Sequence, residues 1–236
     1  METTRPRSAL IIGASGGTGR HVVRCAREAG LSVRALTSVA EKERALRAMG
    51  VDDVVVGDLR DRDVRARIVL GMDIVLSAVG GADVFIRGVT PLIAAAKDAG
   101  VRSLVMEASL GCGDSRDAIP MRVYEMLRSP IEAMNVAEEA LRASGLSYTI
   151  FRPGALLDDP ATNDVMVGEG GTRLGGGSIP RADVATFMVA ALYTPEARDR
   201  TFELVSRAGF RDGPGETVTL PWRFGPQDEG LRLVTM

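Results

Sequence analysis

The most constraining feature of this chain is the stretch Ser8-Ala-Leu-Ile-Ile-Gly13-Ala-Ser-Gly16-Gly-Thr-Gly19-Arg20-His-Val-Val23. Ala9 to Ile12 is an apolar run of strand length, as expected for a strand buried on both faces. Three glycines follow at the spacing G-x-x-G-x-x-G. A helical pattern through Val22, Val23 and Ala26 comes next and stops at Gly30. Strand, glycine-rich turn and helix in that order form the context in which such glycines bind a dinucleotide. Gly13 suits the tight turn, Gly16 lets backbone approach a pyrophosphate, and Gly19 lets the helix lie close to the strand. The helix start offers unpaired amides and a positive dipole end to phosphate.

The same rhythm continues downstream. Strands are expected at Leu31–Leu36, Val54–Val56, Asp73–Val79 and Arg102–Ala108, with helices at Glu41–Met49, Asp61–Leu70 and through Val89, Leu92, Ile93 and Ala96 between them. Alternating strands and helices imply parallel βαβ units in an α/β, Rossmann-type doubly wound sheet. The pattern breaks at residues 109–129, which read as a long functional loop. Ser129-Pro130-Ile-Glu132 then matches a helix start, with Ser129 as N-cap, Pro130 at the first helical position and Glu132 closing a capping box. That helix is expected to run to Ser144. A sixth strand is expected at Ser147–Phe151, a strand-like piece at Asp164–Val167, a helix at Arg181–Tyr193 and a last strand at Thr201–Val205. Residues 1–206, with substrate-side loops 110–129 and 155–180, form the expected nucleotide-binding domain. Residues 207–236 form a C-terminal extension that either packs through Trp222 or stays partly mobile.

Composition narrows the function classes. The 236 residues suffice for one large α/β domain. A net charge of −2 argues against nucleic acid or an anionic membrane as the main partner. No segment approaches the about 18 unbroken apolar residues of a membrane span, and the polar start does not read as a signal peptide. Cys25 and Cys112 provide neither metal spacing nor a disulfide framework, and His21 is the only histidine. The expectation is a cytoplasmic, metal-free protein acting on a small molecule, with its oligomeric state left open.

Several further motifs occur in one order: Val56-Gly-Asp58, Ala99-Gly-Val-Arg102, the strand ending near Ser109, Ala137 to Gly154 ending in Arg152-Pro153-Gly154, Ile179-Pro-Arg-Ala-Asp-Val184 and Thr201-Phe-Glu-Leu204. With the glycine loop they resemble the atypical short-chain dehydrogenase/reductase family, in particular its NAD(P)H-binding, NmrA-like group of biliverdin reductase B/flavin reductase type. The resemblance covers residues 8–205. It implies that Gly13, Ser15, Gly16, Gly17, Thr18, Gly19 and Arg20 surround the pyrophosphate. It also implies that Gly57, Asp58 and Leu59 border the adenine, and that Ala78, Val79 and Gly80 line the nicotinamide-side ribose, with Pro153 turning the chain across the nicotinamide end. Asp58 is either a partner of the adenine amino group or a strand-end cap.

The second strand ends in Thr37 and Ser38, with no acid to hold a ribose 2′-hydroxyl and repel a 2′-phosphate. Arg20, Lys42 and Arg44 lie near in sequence, so NADP(H) is favoured over NAD(H). Many relatives carry an arginine where Ser38 stands. Lys42 and Arg44 also fit a solvated helix face.

Hydride transfer needs an oriented acceptor, a group that polarises it and a source of protons. Ser109 stands where the family's polarising serine does; otherwise it is a strand-end hydroxyl bonded to backbone. The family's Tyr-x-x-x-Lys pair is replaced by Ile131 and Asn135, neither of which can do that acid–base work; Asn135 either hydrogen-bonds cofactor or substrate or is a solvated helix position. Tyr124, in the 110–129 loop, either donates a proton or lines the pocket. Arg128 cannot shuttle one. Arg152 either pairs with an acid or meets an anionic group, and Cys112 is expected to pack. Met121, Met126 and Met134 are expected as pocket wall or core. Three readings follow: an NADPH-dependent reductase of a small, fairly apolar acceptor, a non-catalytic redox sensor of the NmrA-like kind, and an isomerase or epimerase, for which only the fold speaks.

Overall fold

The structure, a computed structural model, describes residues 5–170 and 174–225. Residues 226–236 of the expected extension and 171–173 of the 155–180 segment lie outside the described residues.

The N-terminal half alternates as expected. Strands β1 (Ser8–Ile12), β2 (Ser32–Thr37), β3 (Asp53–Val56), β4 (Ile74–Ser77) and β5 (Ser103–Glu107) are separated by α1 (Gly17–Glu28), α2 (Glu43–Ala48), α3 (Arg62–Ile68) and a composite helical segment. That segment comprises α4 (Ala82–Val84), a π turn (Phe85–Val89) and α5 (Thr90–Asp98). α6 (Met121–Ala143), β6 (Ser147–Pro153), β7 (Ala155–Leu157), β8 (Val165–Glu169), β9 (Gly176–Pro180), α7 (Arg181–Ala190), β10 (Arg200–Ser206) and β11 (Phe210–Asp212) follow.

Eight strands form the main sheet in the order β3-β2-β1-β4-β5-β6-β10-β8, parallel except for β8, which runs antiparallel to β10. Strand order reverses between β1 and β4, the place where open α/β sheets bind ligands beyond their carboxyl ends. A small sheet, β11-β9-β7, sits beside it and uses part of the extension. Apolar side chains fill both faces. One layer packs β1 and β2 against α1 and α7, and the other packs β4 and β5 against α5 and α6. Trp222 is buried among Phe151, Phe187 and Phe202, with ring centroids 6.0, 5.0 and 5.3 Å away. The extension therefore packs through this residue.

The largest departure from expectation is α6. It starts at Met121, just after Pro120, and carries Pro130 in its interior. No capping box forms at Ser129, and Tyr124 and Arg128 sit on the helix rather than in a loop. α6 as a whole packs against α4 and the π turn, and from its first two turns Tyr124 reaches the core layer beneath. Met121 and Met126 are exposed on it rather than in the core. Met134 is half-buried, with its sulfur 3.9 Å from the Cys112 thiol. Strands β7, β9 and β11 were not anticipated.

Candidate active site

The glycine loop is shaped by close approach. Gly13 has φ +78°, and a Cβ there would lie 2.2 Å from the Ala78 carbonyl oxygen. A Cβ on Gly19 would lie 1.9 Å from the Gly13 carbonyl oxygen. Gly16 N–H donates to Gly13 O at 2.8 Å and closes the turn. Gly16 is then the N-cap of α1, and no side chain caps that end. The first-turn amides of α1 are thus left for an anion, with the dipole in favour. This uncapped helix start fits a dinucleotide phosphate.

A cleft opens here along the carboxyl edge of the sheet. From the loop after β1 it is lined by Gly13, Ser15 and Gly16, and from the end of β2 by Thr37 and Ser38. Gly57, Asp58 and Leu59 line it after β3, and Ala78, Val79 and Gly80 after β4. Eleven of the expected cofactor positions are therefore brought together. Arg60 and Val84, not anticipated, line it too.

The remaining expected positions lie elsewhere. Lys42 is exposed and outside the lining, as expected of a solvated helix face. Pro153 is buried at the end of β6, its carbonyl accepting the Leu110 amide at 2.9 Å. Thr18 is buried, with its hydroxyl turned inward to donate to Glu107 Oε1 at 2.9 Å. It can therefore offer a ligand only its amide. Arg20 is outside the cleft lining and reaches Asp158 at 3.4 Å. Gly17 is covered by Arg181: a Cβ on Gly17 would lie 2.5 Å from Arg181 Nε.

Arg181 and Glu107 escaped sequence reasoning. Arg181 Nε stands 3.2 Å from Asp158 Oδ1, yet neither Nε nor Nη1 makes a hydrogen bond, although both atoms are buried. Arg20 and Arg181 thus share one carboxylate beside the phosphate-side loop. Glu107, at the end of β5, is pushed up to about 7 by burial, opposed by the Thr18 bond and the Arg181 charge. Asp58 gives both carboxylate oxygens to Arg60, at 2.6–3.0 Å. These bonds hold its carboxyl down at about 2. Arg60 also reaches Asp83 at 2.6 Å. Asp58 is thus held as a charged turn residue at the cleft edge.

On the substrate side, Ser109 lies two residues past β5, half-buried, donating its hydroxyl to Leu110 O at 3.0 Å. Tyr124 lies with its ring face under the Arg116 guanidinium, 3.6 Å from the centroid. Ile131 is buried in the core. Asn135 is not merely solvated: its Oδ1 accepts the Gly113 amide at 2.9 Å and pins the turn after Cys112. Cys112 is fully buried, its thiol pushed up to about 12 by burial. Such a thiol is inert, consistent with packing. Arg152 is buried and does pair with acids: its guanidinium bonds both oxygens of buried Glu138, at 3.0 and 2.7 Å, and also Asp114. Among the described residues no group of His, Cys, Asp and Glu could hold a metal ion, and no helix is long and apolar enough to cross a membrane.

Comparison with known proteins agrees with this geometry. Residues 13–195 match the family model described as NAD(P)H-binding. A Bacillus subtilis protein described as an uncharacterized sugar epimerase, YhfK, is 29% identical over 205 residues, covering 83% of this chain and 92% of the relative. An NAD(P)H azoreductase of Xenophilus azovorans is 30% identical over 199 residues, covering 82% of this chain and 66% of that protein. Among solved structures, the anaerobillin reductase ChuY of Escherichia coli O157:H7 superposes with a TM-score of 0.78 at 28% identity, over 87% of this chain and all of that one. The chain belongs to the NAD(P)H-binding family.

Proposed function

We propose that this protein is an NADPH-dependent reductase of small, fairly apolar acceptors that take their proton from water, such as quinones, flavins, enones or activated ketones. The observation that carries this reading is the pairing of a complete phosphate-side loop and cleft with side chains at the usual acid–base positions that are otherwise engaged. Ile131 is packed in the core, and Asn135 is bonded to Gly113. Acceptors of this class need no positioned Tyr/Lys acid, because the reduced anion is protonated by solvent. The azoreductase and reductase relatives support the same class of chemistry. An epimerase would need a base for a substrate hydroxyl, which neither Ile131 nor Asn135 supplies.

The bound nicotinamide would supply the hydride. The chain's own part is to bind, orient and polarise. The uncapped start of α1 would hold the pyrophosphate, and the Arg181 guanidinium over Gly17 would supply positive charge to it. Ser109 exchanges its bond to Leu110 O for one to the acceptor oxygen, where negative charge develops. Water returns the proton, and Tyr124, under Arg116, serves as pocket wall. NADPH is preferred because Ser38 leaves room without negative charge at the end of β2. Arg60 is the cation lining the same cleft.

The test is NADPH oxidation against a panel of quinones, flavins, ketones and enones. Turnover of at least one acceptor is expected. Ser109→Ala should lower kcat at least about tenfold, and Tyr124→Phe should leave it within about twofold. Tight NADPH binding with no turnover of any acceptor would overturn the reductase and favour a redox sensor.

A further inference from the structure

A second cleft, of about 440 Å³, lies apart from the cofactor cleft and shares no lining residue with it. It is bounded by the turn at 114–120, by Gly175 and Gly176 at the start of β9, by Glu203 of β10 and by Asp212 to Pro214 after β11. Glu203 is 1% exposed, with one carboxylate oxygen accepting the Leu174 amide at 3.3 Å. The other oxygen, Oε1, is buried with no hydrogen-bond partner among the described residues. A buried carboxylate oxygen left unpaired costs on the order of 1–3 kcal/mol or more, so such a group calls for a partner that the described residues do not provide.

The chemistry of the lining indicates which partner fits. Asp114, Asp117 and Asp212 join Glu203 around the cleft. Of the cations near them, Arg152 is already bonded to Glu138 and Asp114, and Arg116 lies over the Tyr124 ring. No ion pair to Asp117, Glu203 or Asp212 occurs among the described residues. The carboxylates are spread around the cleft, and no three of them converge closely enough to hold a metal ion. Ile119, Pro120 and Pro214 supply apolar surface between them. Dispersed negative charge around an apolar wall suits an extended organic cation better than an inorganic one.

We propose that this cleft binds a small organic cation, a protonated amine on an apolar body, with Glu203 Oε1 receiving the ammonium and Asp212 at the rim. This does not depend on the reductase reading, because neither cofactor nor turnover enters it.

Benzylammonium is a suitable probe, with benzyl alcohol as its uncharged counterpart, followed by ligand-observed NMR and calorimetry on the full chain. About pH 8 keeps Glu203 charged, since burial pushes its carboxyl up to about 7, with Asp114 raising and Arg152 lowering it. Benzylammonium should bind at least about tenfold more tightly than benzyl alcohol, and Glu203→Gln should remove that advantage. Asp212→Asn, at an exposed position, should weaken the amine about threefold. NADPH affinity should be unchanged in both variants. Equal binding of amine and alcohol, no binding of either, or an amine affinity that survives Glu203→Gln would overturn the proposal. Should Glu203→Gln fail to fold, an unchanged amine affinity in Asp212→Asn would do so.

Discussion

Glu107 is a buried acid beneath the phosphate-side loop, and its environment makes stability pH-dependent. Burial raises its carboxyl from 4.5 to about 7 in the folded chain. Between those values the folded state binds the extra proton, so raising the pH through this window costs stability. Below about pH 4.5 the cost is absent, and above about pH 7 it is complete, at about 3 kcal/mol. Glu107→Gln keeps an acceptor for the Thr18 hydroxyl and removes the charge. It should match the parent near pH 4.5 and exceed its melting temperature near pH 8. A melting curve showing the same pH slope in both proteins would refute this account. None of it was legible in the sequence. Thr18 and Glu107 are 89 positions apart, and Glu107 reads only as a polar residue near the end of an apolar strand. Arg181 belongs to the Ile179–Val184 motif, but its position over Gly17 follows from how α7 packs along α1, which no local pattern encodes.

At the scale of elements, local signals and tertiary packing disagree over α6. Ser129-Pro130-x-Glu132 satisfies the rules for a helix start, yet the helix runs through it from Met121. Pro130 removes the amide that would bond the Met126 carbonyl, an interior loss of about 3 kcal/mol in an unconstrained helix. Pro130→Ala restores that amide and should stabilise the protein by about 1–3 kcal/mol in denaturant unfolding. Destabilisation instead would mean that the helix begins at residue 130, as its sequence suggests. The missed strands have a related cause. Gly175 to Gly177 lack the apolar alternation that marks a strand. They pair because their bare backbones can approach residues 209–213: a Cβ on Gly175 would stand 2.1 Å from the Asp212 carbonyl oxygen. By contrast β1 to β6, apolar and regularly spaced, were legible to within one or two residues at most ends.

At the scale of the whole molecule, the parallel sheet places its strand-order reversal between β1 and β4, and the expected cofactor positions gather there because each ends a strand on the same edge. That half of the site was readable, since a strand end is a local feature. The proposed acceptor side, around Ser109 and Tyr124, is assembled from the turn after β5 and the start of α6, and the placing of that turn depends on contacts such as Arg152 with Glu138 and Asp114. Sequence order carries little of that information.

In the proposed reading, the cleft beside Gly13, Ser38 and Asp58 holds NADPH. Titrating NADPH and NADH into the wild-type protein and Ser38→Asp, followed by nicotinamide fluorescence, tests it most directly. The account predicts that the wild type binds both, NADPH the more tightly, and that Ser38→Asp weakens NADPH at least about tenfold while NADH changes little, because the added carboxylate repels only a 2′-phosphate. Failure to bind either nucleotide, or equal loss of both in Ser38→Asp, would contradict it.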